Sequence, residues 1–101
     1  MQIAHKVSFD PRHVYDDTND IETNCTTITF ENYGETDCDV FFADTDHAHL
    51  EGSGLRIPAG TSITLGGRLD SILTDLLDLA FTRLDLVRGV NIIRETYSML
   101  T

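Results

Sequence analysis

The sequence has few cysteines, few basic residues and no long apolar run, and each shortage excludes a class of protein. Only two cysteines occur, Cys25 and Cys38, whereas the disulfide framework of a small secreted domain normally needs four or more. No stretch is apolar enough to span a membrane. The opening residues lack the charged-then-apolar pattern of a signal peptide. We therefore expect synthesis in a reducing cytoplasm, followed by retention there or release inside an assembled particle.

Basic residues are scarce and unevenly placed along the chain. Seven Lys and Arg stand against seventeen Asp and Glu, which gives a formal net charge of -10. Between Asp10 and Glu51 there are twelve acids and a single base, Arg12. Because an acidic surface repels phosphate groups, we expect neither nucleic acid nor an anionic membrane as the main partner. A basic protein surface or cations would fit this charge, and so would a surface whose acids only maintain solubility.

The sequence also lacks the local signatures of catalysis. Neither cysteine has an elbow-like glycine pattern beside it, and no serine stands in Gly-x-Ser-x-Gly. Gly66-Gly67 is not followed by the Lys-Ser or Lys-Thr of a phosphate-binding loop. We therefore predict a protein that is not an enzyme, with no catalytic residues and no cofactor.

The length of 101 residues, with 41% hydrophobic residues, allows one domain. Residues 1–23 are the least regular part, because their apolar positions are scattered, Pro11 interrupts them and Asp16–Asp20 is a turn-rich acidic cluster. We predict an extended N-terminal arm over residues 1–23 and a single domain over residues 24–101.

Alternation of apolar and β-branched residues predicts the first two strands of this domain. Thr26–Phe30 and Cys38–Ala43 alternate in this way and are separated by a turn. Their spacing predicts a β-hairpin in which Ile28 pairs with Phe42. In that register the two cysteines lie too far apart to form a disulfide, so we expect both thiols to be free.

Three more strands are predicted further along the chain. Leu55–Ile57, Thr61–Leu65 and Val90–Tyr97 alternate well, and turn residues separate them. Short strands spaced about ten residues apart are typical of a sandwich or a barrel.

Residues 68–88 allow two interpretations. The apolar residues of this segment fall on one side of a helical wheel and its aspartates on the other, which indicates an amphipathic helix. The competing interpretation is an extended link followed by a strand over Leu76–Thr82, with Leu77, Leu79 and Phe81 facing the core. The local periodicity alone favours the helix.

The densest cluster of potential ligands lies in the segment 44–51. His-x-His recurs in zinc and iron sites, and Asp-x-Asp opens many calcium loops. A helix-loop-helix calcium site needs further oxygen ligands and a glycine at its sixth position, and these are absent. A hydrated loop tip explains the same residues, so we predict no metal site. The candidate ligands, if any, are Asp44, Asp46, His47 and His49, with Glu51 next to them.

Several motifs follow one another in a fixed order along the chain. They are Thr29–Gly34 (ending in Asn-x-Gly), Asp39–Ala43, the Pro-x-Gly step in Leu55–Leu65, Gly66-Gly67, Asp78–Phe81 and the Ile-Arg-x-x-Tyr of Ile93–Tyr97. In this order they resemble the small β-sandwich structural proteins of tailed bacteriophages, in particular of crAss-like and other Bacteroidetes phages. The similarity covers roughly residues 23–97 and is specific for a strand order more than for a role.

This resemblance implies a strand over residues 76–82 and an all-β fold, a single antiparallel β-sandwich of six to eight strands. The alternative is an α+β fold with a helix at about 68–88. The resemblance also implies a virion structural protein, made in the host bacterial cytoplasm, that decorates the capsid or builds a head fibre or tail accessory. Its expected partners are the major capsid protein or neighbouring copies of itself in a homo-oligomeric assembly. Two other functions remain open: a carbohydrate- or ligand-binding module for host recognition that uses the 44–51 loop, and a regulatory partner that presents a helix.

Overall fold

Eight β-strands form the regular structure of the computed structural model, which describes residues 5–44, 46, 47, 49, 52–68 and 71–99. No helix occurs among these residues, so none of them belongs to a helix that could cross a membrane. The strands are β1 (His5–Val14), β2 (Thr18–Glu22), β3 (Thr27–Asn32), β4 (Cys38–Phe42), β5 (Leu55–Ile57), β6 (Ser62–Gly66), β7 (Leu76–Phe81) and β8 (Val90–Met99).

The strands form two four-stranded antiparallel sheets. Sheet I has the order β1-β8-β3-β6, and sheet II has the order β2-β7-β4-β5. Of the connections between these strands, β4–β5 alone joins two strands of the same sheet, and the others cross from one sheet to the other. An eight-stranded double sheet of this order is a jelly roll. The predicted antiparallel β-sandwich is confirmed, with eight strands.

The core lies between the sheets and consists of the alternate residues of each strand that face inward. Strand β7 supplies Leu77, Leu79 and Phe81, and strand β3 supplies Ile28 and Phe30, all of them buried. Burying an aliphatic or aromatic side chain of this size stabilises the fold by roughly 1.5–3 kcal/mol. The remaining buried apolar residues are Val14, Ile21, Cys25, Cys38, Val40, Ile57, Val90 and Ile92.

The alternative helix over residues 68–88 is wrong, and the strand prediction for residues 76–82 is confirmed by β7. This strand is central in sheet II and pairs with β2 on one side and β4 on the other, so its backbone groups have partners on both edges. The helical periodicity combined three unrelated pieces: the link before β7, where Leu73 bridges to Cys25, then β7 itself, then a loop in which Leu84 is exposed.

The predicted β3–β4 hairpin is also wrong, because the two strands lie in different sheets. Ile28 pairs with Leu65 and Arg94 in sheet I, not with Phe42. The corner between the strands is held by Asn32, whose side chain is buried and donates hydrogen bonds to the carbonyl oxygens of Thr36 (2.9 Å) and Ile57 (3.0 Å). A buried amide satisfied in this way fixes the chain as it crosses from sheet I to sheet II.

The N-terminal segment is extended, and its described part is paired along both of its strands. Strand β1 pairs with β8 in continuous register from His5–Met99 to Val14–Val90, and β2 pairs with β7. Val14 and Ile21 enter the core. Sequence reasoning placed the domain boundary at residue 23. In the structure β1 is an edge strand of sheet I and β2 is an edge strand of sheet II, so the two sheets include residues back to residue 5.

Replacing Leu79 by alanine should lower the free energy of unfolding by about 2–5 kcal/mol, because it leaves a cavity between the sheets. Urea denaturation followed by circular dichroism measures this change. The matched control is Leu84→Ala, an exposed leucine of the same chain, which should change stability by no more than about 0.5 kcal/mol. Equal losses in the two variants would contradict the assigned core.

Both cysteines are free and buried, which confirms the expectation of free thiols. The geometry behind that expectation was wrong, since Cys25 lies outside the named strands and Cys38 is on β4 in sheet II. Burial, with smaller contributions from the neighbouring carboxylates of Asp39 and Asp37, raises the pKa of the Cys38 thiol to about 12. A thiol of that pKa is almost never a thiolate at neutral pH, so it is unreactive.

Ellman's reagent at pH 8 should therefore label neither cysteine in the native protein. After unfolding in guanidinium chloride, two thiols per chain should react. Rapid labelling of the native protein would mean that one of these sites opens readily, which would contradict the packing of both residues in the core.

Candidate functional site

The β4–β5 connection approaches the outer face of sheet II at Asp78. Because Leu77 and Leu79 face the core, Asp78 between them points to the opposite face of β7. A carboxylate on an outer face normally meets solvent, yet this side chain is 0% exposed. Two histidines of the connection, His47 and His49, contact it.

The Asp78 carboxylate accepts three hydrogen bonds. Its Oδ1 accepts the backbone N–H of Asp20 on β2 at 2.9 Å. Its Oδ2 lies 2.8 Å from His47 Nδ1 and 2.7 Å from His49 Nε2. The carboxylate thus joins β7 to β2 and to the β4–β5 connection at one point.

These contacts shift two pKa values. Burial opposes ionisation of Asp78, but the hydrogen bonds from His47, the Asp20 backbone and His49 outweigh it, so the Asp78 pKa lies below its usual value. The hydrogen bond to Asp78 raises the pKa of His47, and the nearby charges of Asp20 and Asp44 act in the same direction, against partial desolvation of the ring. The cluster therefore favours an ionised carboxylate next to positive charge.

An aromatic stack holds His49 against the sheet. The His49 ring lies parallel to the Phe41 ring, with ring centroids 4.1 Å apart and an interplanar angle of 4°. Phe41 is the direct cross-strand partner of Asp78. Gly54 passes so close that a Cβ there would come within 2.5 Å of the Phe41 ring. A glycine is therefore required at position 54 for the returning chain to pass the Phe41 ring.

Of the residues that the sequence offered as candidate ligands, the structure brings His47 and His49 together on Asp78. Asp44 and Asp46 lie in the turn before the two histidines. The Asp44 carboxylate accepts the backbone N–H of Asp46 at 3.1 Å, and Asp46 is exposed. Glu51 lies outside the described residues.

Sequence reasoning missed Asp20 and Asp78. Asp78 carried one weak signal, a charged residue between two leucines of a strand, but the alternation by itself predicts a solvated side chain. Asp20 sits in a run of acids that offered no reason to single it out. Donor atoms of Asp20, His47 and Asp78 lie within 4.8 Å of one another. The His47 ring lies between the two carboxylates, with Nδ1 2.8 Å from Asp78 and Nε2 3.5 Å from Asp20.

A second functional feature is the distribution of exposed apolar residues over the two ends of the sandwich. Because all strand pairs are antiparallel, the β2–β3, β4–β5 and β6–β7 connections share one end, which we call the loop end. The large exposed apolar residues at or near the loop end are Val7, Phe9, Phe42, Leu55, Ile72 and Leu76. Those at the opposite end are Tyr15, Tyr33, Leu84 and Val87.

Charged side chains are largely paired within the chain. The printed sequence contains six arginines, and four of them form ion pairs with aspartates: Arg56 with Asp37 and Asp39, Arg83 with Asp85, Arg88 with Asp16, and Arg94 with Asp10. Exposed pairs of this kind contribute little to stability. They do leave the excess negative charge on the remaining acids.

Comparison with protein-family models and with curated proteins gives no match. Among solved structures, the chain is similar to a protein from work described as "Bacillus endospore appendages form a novel family of disulfide-linked pili". The TM-score is 0.49 and the identity 9%, over 100% of this chain and 93% of that chain. A likeness at this level carries no inference about function, so the class of the protein, an eight-stranded jelly roll, follows from its own topology.

Replacing Asp78 by asparagine should lower the free energy of unfolding by about 1–3 kcal/mol, because the buried acceptor of two histidines loses its charge. Chemical denaturation measures the change. The control is Asp46→Asn, an exposed aspartate of the same connection, which should leave stability within about 0.5 kcal/mol of the parent. If Asp78→Asn behaves like the control, the carboxylate does not anchor the connection.

Proposed function

We propose that this protein is a non-enzymatic structural subunit of a tailed-bacteriophage virion, a capsid decoration protein or a head-fibre or tail accessory. It works by binding neighbouring virion proteins. The observation that carries the proposal is the loop end, where a projecting two-stranded ribbon lies beside an apolar cleft.

The ribbon consists of β1 and β8, each ten residues long. Strand β3 pairs with β8 only from Val90 to Glu95, so among the described residues no third strand pairs with the ribbon from Ser8–Thr96 outward. Val7 and Phe9 on β1 are exposed, and Phe9 is 65% accessible. A projecting apolar ribbon of this kind gains free energy when a neighbour covers it.

The cleft lies where the two sheets separate. Phe42 follows the alternation of Cys38 and Val40, which face the core, yet Phe42 is 74% exposed. Leu55, Leu65 and Leu77 line the same opening. An aromatic ring that points inward but is uncovered is the kind of anchor residue found at interface centres.

The neighbour that fits is a second copy of this chain. The ribbon and the cleft lie at the same end, so two copies related by a two-fold axis would each insert a ribbon into the other's cleft. Such an interface is isologous and closed. Strand β1 is also the edge of sheet I. Pro11 removes one donor from that edge, which limits strand addition to part of it.

The fold and the sequence resemblance support the virion as the place where this protein acts. Jelly rolls build many viral capsid domains, although a fold by itself does not fix a function. The resemblance of the sequence to phage structural proteins is the second support for this setting. On a symmetric shell, many weak copies of one contact sum to tight attachment.

A second function, ligand binding for host recognition, is favoured by one observation: the β4–β5 connection brings His47, Asp20 and Asp44 around one open depression. Jelly rolls also serve as lectin domains. Calorimetric titration with host glycans separates the two functions, because a purely structural subunit should give no saturable heat.

Phe9→Ser on the ribbon and Phe42→Ser in the cleft should each weaken self-association by about tenfold or more, since both remove an aromatic anchor. Light scattering after size-exclusion chromatography of the full chain, over a concentration series, measures this. The control is Leu84→Ser, an exposed leucine at the opposite end, which should associate like the parent. Circular dichroism confirms that each variant is folded.

A parent protein that stays monomeric at every concentration, or variants that associate as the parent does, would contradict the interface. The virion setting has its own test. Mass spectrometry of purified particles should find this chain in a fixed ratio to the major capsid protein, and its absence from particles would contradict that part of the proposal.

A further inference from the structure

We infer that His47 is a proton-dependent latch: with both ring nitrogens protonated it attaches the β4–β5 connection to β2 and to β7, and on losing a proton it gives up its attachment to β2. The inference concerns the connection itself and does not rest on the virion role proposed above. It is carried by the position of the His47 ring between carboxylates from two strands of sheet II.

Both nitrogens of the His47 ring face a carboxylate. Nδ1 lies 2.8 Å from Oδ2 of Asp78, and Nε2 lies 3.5 Å from Oδ2 of Asp20. A neutral imidazole carries one N–H and one lone pair, whereas an imidazolium carries two N–H groups. In either neutral tautomer a lone pair would point at a negatively charged oxygen. The arrangement therefore fits one protonation state of His47, the imidazolium.

His49 differs from His47 in this respect. Its Nε2 lies 2.7 Å from Asp78 Oδ2, and among the described residues Asp78 is the carboxylate with which it pairs. One N–H is enough for that contact, so a neutral ring with its proton on Nε2 keeps it. The stack on Phe41 also holds the His49 ring in place. The proton dependence of the cluster therefore belongs to His47.

Burial decides which attachment a neutral His47 would keep. The Asp78 side chain is 0% exposed, whereas that of Asp20 is 56% exposed. Electrostatic attraction is stronger where water is excluded and weaker near solvent. The closer, buried contact with Asp78 therefore retains the remaining proton on Nδ1. Nε2 then turns a lone pair toward Asp20, so the attachment to β2 is the one that is lost.

The other charges around His47 favour its protonated form. Asp44, on the connection itself, adds a third negative charge near the ring. Arg12 and Arg94 line a separate depression that also reaches Asp20, and their positive charges counter part of the Asp20 charge. The hydrogen bond to Asp78 is the largest of the causes that raise the pKa of His47 above its ordinary value, and the charges of Asp20 and Asp44 act in the same direction.

The contact that is lost joins two residues with an uncommon backbone conformation. His47 has a φ of 51° and Asp20 a φ of 55°. Both values lie in the left-handed region, which non-glycine residues rarely occupy and which persists only where surrounding contacts maintain it. Losing the contact between these two side chains removes one of the interactions that maintain it. Deprotonation therefore loosens the connection at His47 and the edge strand β2 at Asp20.

The direction of the pKa shifts defines the pH range of the latch. Because the pKa of His47 is raised, its contribution to stability is complete below about pH 6.5, the ordinary histidine value, and is lost as pH rises through the folded-state pKa. Because the pKa of Asp78 is lowered, its contribution is complete above about pH 3.9 and is lost as pH falls through the folded-state pKa. The latch is therefore closed between these limits and opens toward alkaline pH.

The first test is an NMR titration of the full chain labelled with ¹⁵N and ¹³C. At pH 6 both His47 ring nitrogens should show the ¹⁵N shifts of a protonated imidazole, and the His47 midpoint should lie above that of the same residue in urea. Asp20→Asn removes one of the two carboxylates and should lower the midpoint. A His47 ring that is neutral at pH 6, or a midpoint that Asp20→Asn leaves unchanged, would overturn the latch.

The second test is the melting temperature, followed by circular dichroism from pH 5 to pH 9. The loss caused by His47→Gln should be larger at pH 6 than at pH 8.5, because glutamine carries no charge at either pH. The controls are His13→Gln, an exposed histidine of β1, and Asp46→Asn, an exposed acid of the same connection. Both should keep the pH dependence of the parent.

Two results of the melting series would contradict the assignment to His47. One is an equal loss at both pH values in His47→Gln. The other is a pH dependence that His49→Gln removes and His47→Gln retains. Circular dichroism at low temperature shows whether each variant is folded, and if His47→Gln is not, the NMR titration of the parent and of Asp20→Asn still decides the question.

Discussion

The structure depends on the alternation of β7 at the centre of sheet II. On one face, Leu77 and Leu79 fill the space between the sheets, and on the other, Asp78 receives the β4–β5 connection. Because successive side chains of a strand point to opposite faces, the same short segment fixes the core and the polar cluster at once. Any change of register in β7 would expose the leucines and bury nothing opposite His47. The core packing therefore also determines the position of the site.

Local patterns were sufficient to predict most strands, because the alternation of inward and outward residues is visible in the sequence of the strand itself. They failed where a structure depends on distant partners. The leucines of residues 68–88 fit a helix as well as a link followed by a strand, and only the flanking strands β2 and β4 decide between them. The β3–β4 hairpin failed for the same reason: a short turn between two strands does not reveal that the chain crosses to the other sheet. Asn32, which secures that crossing, looks like an ordinary turn residue.

Sequence reasoning identified two of the four residues of the candidate site. His47 and His49 stood out because they are close in the chain, and the loop that carries them does reach a polar cluster. Asp20 and Asp78 did not, since their part in the cluster comes from burial and from contacts across 31 and 58 residues of sequence. The acids next to the histidines, Asp44 among them, were the natural partners by proximity. The Asp44 carboxylate accepts the backbone N–H of Asp46 in the turn before His47.

The apolar cleft and the polar cluster around Asp78 are connected through the end of β4. Phe42, the uncovered ring of the cleft, is the last residue of β4, and the connection anchored by His47 begins directly after it, where the Ala43 N–H bonds to Leu76 at 2.9 Å. An interface formed by a loop that is already ordered loses less conformational entropy on binding. A contact that fixes His47 to β2 and β7 would therefore also favour the docking that we propose at the cleft. Phe42, which we propose as an anchor for assembly, and His47, which orders the connection, therefore lie only five residues apart, at and just after the end of β4.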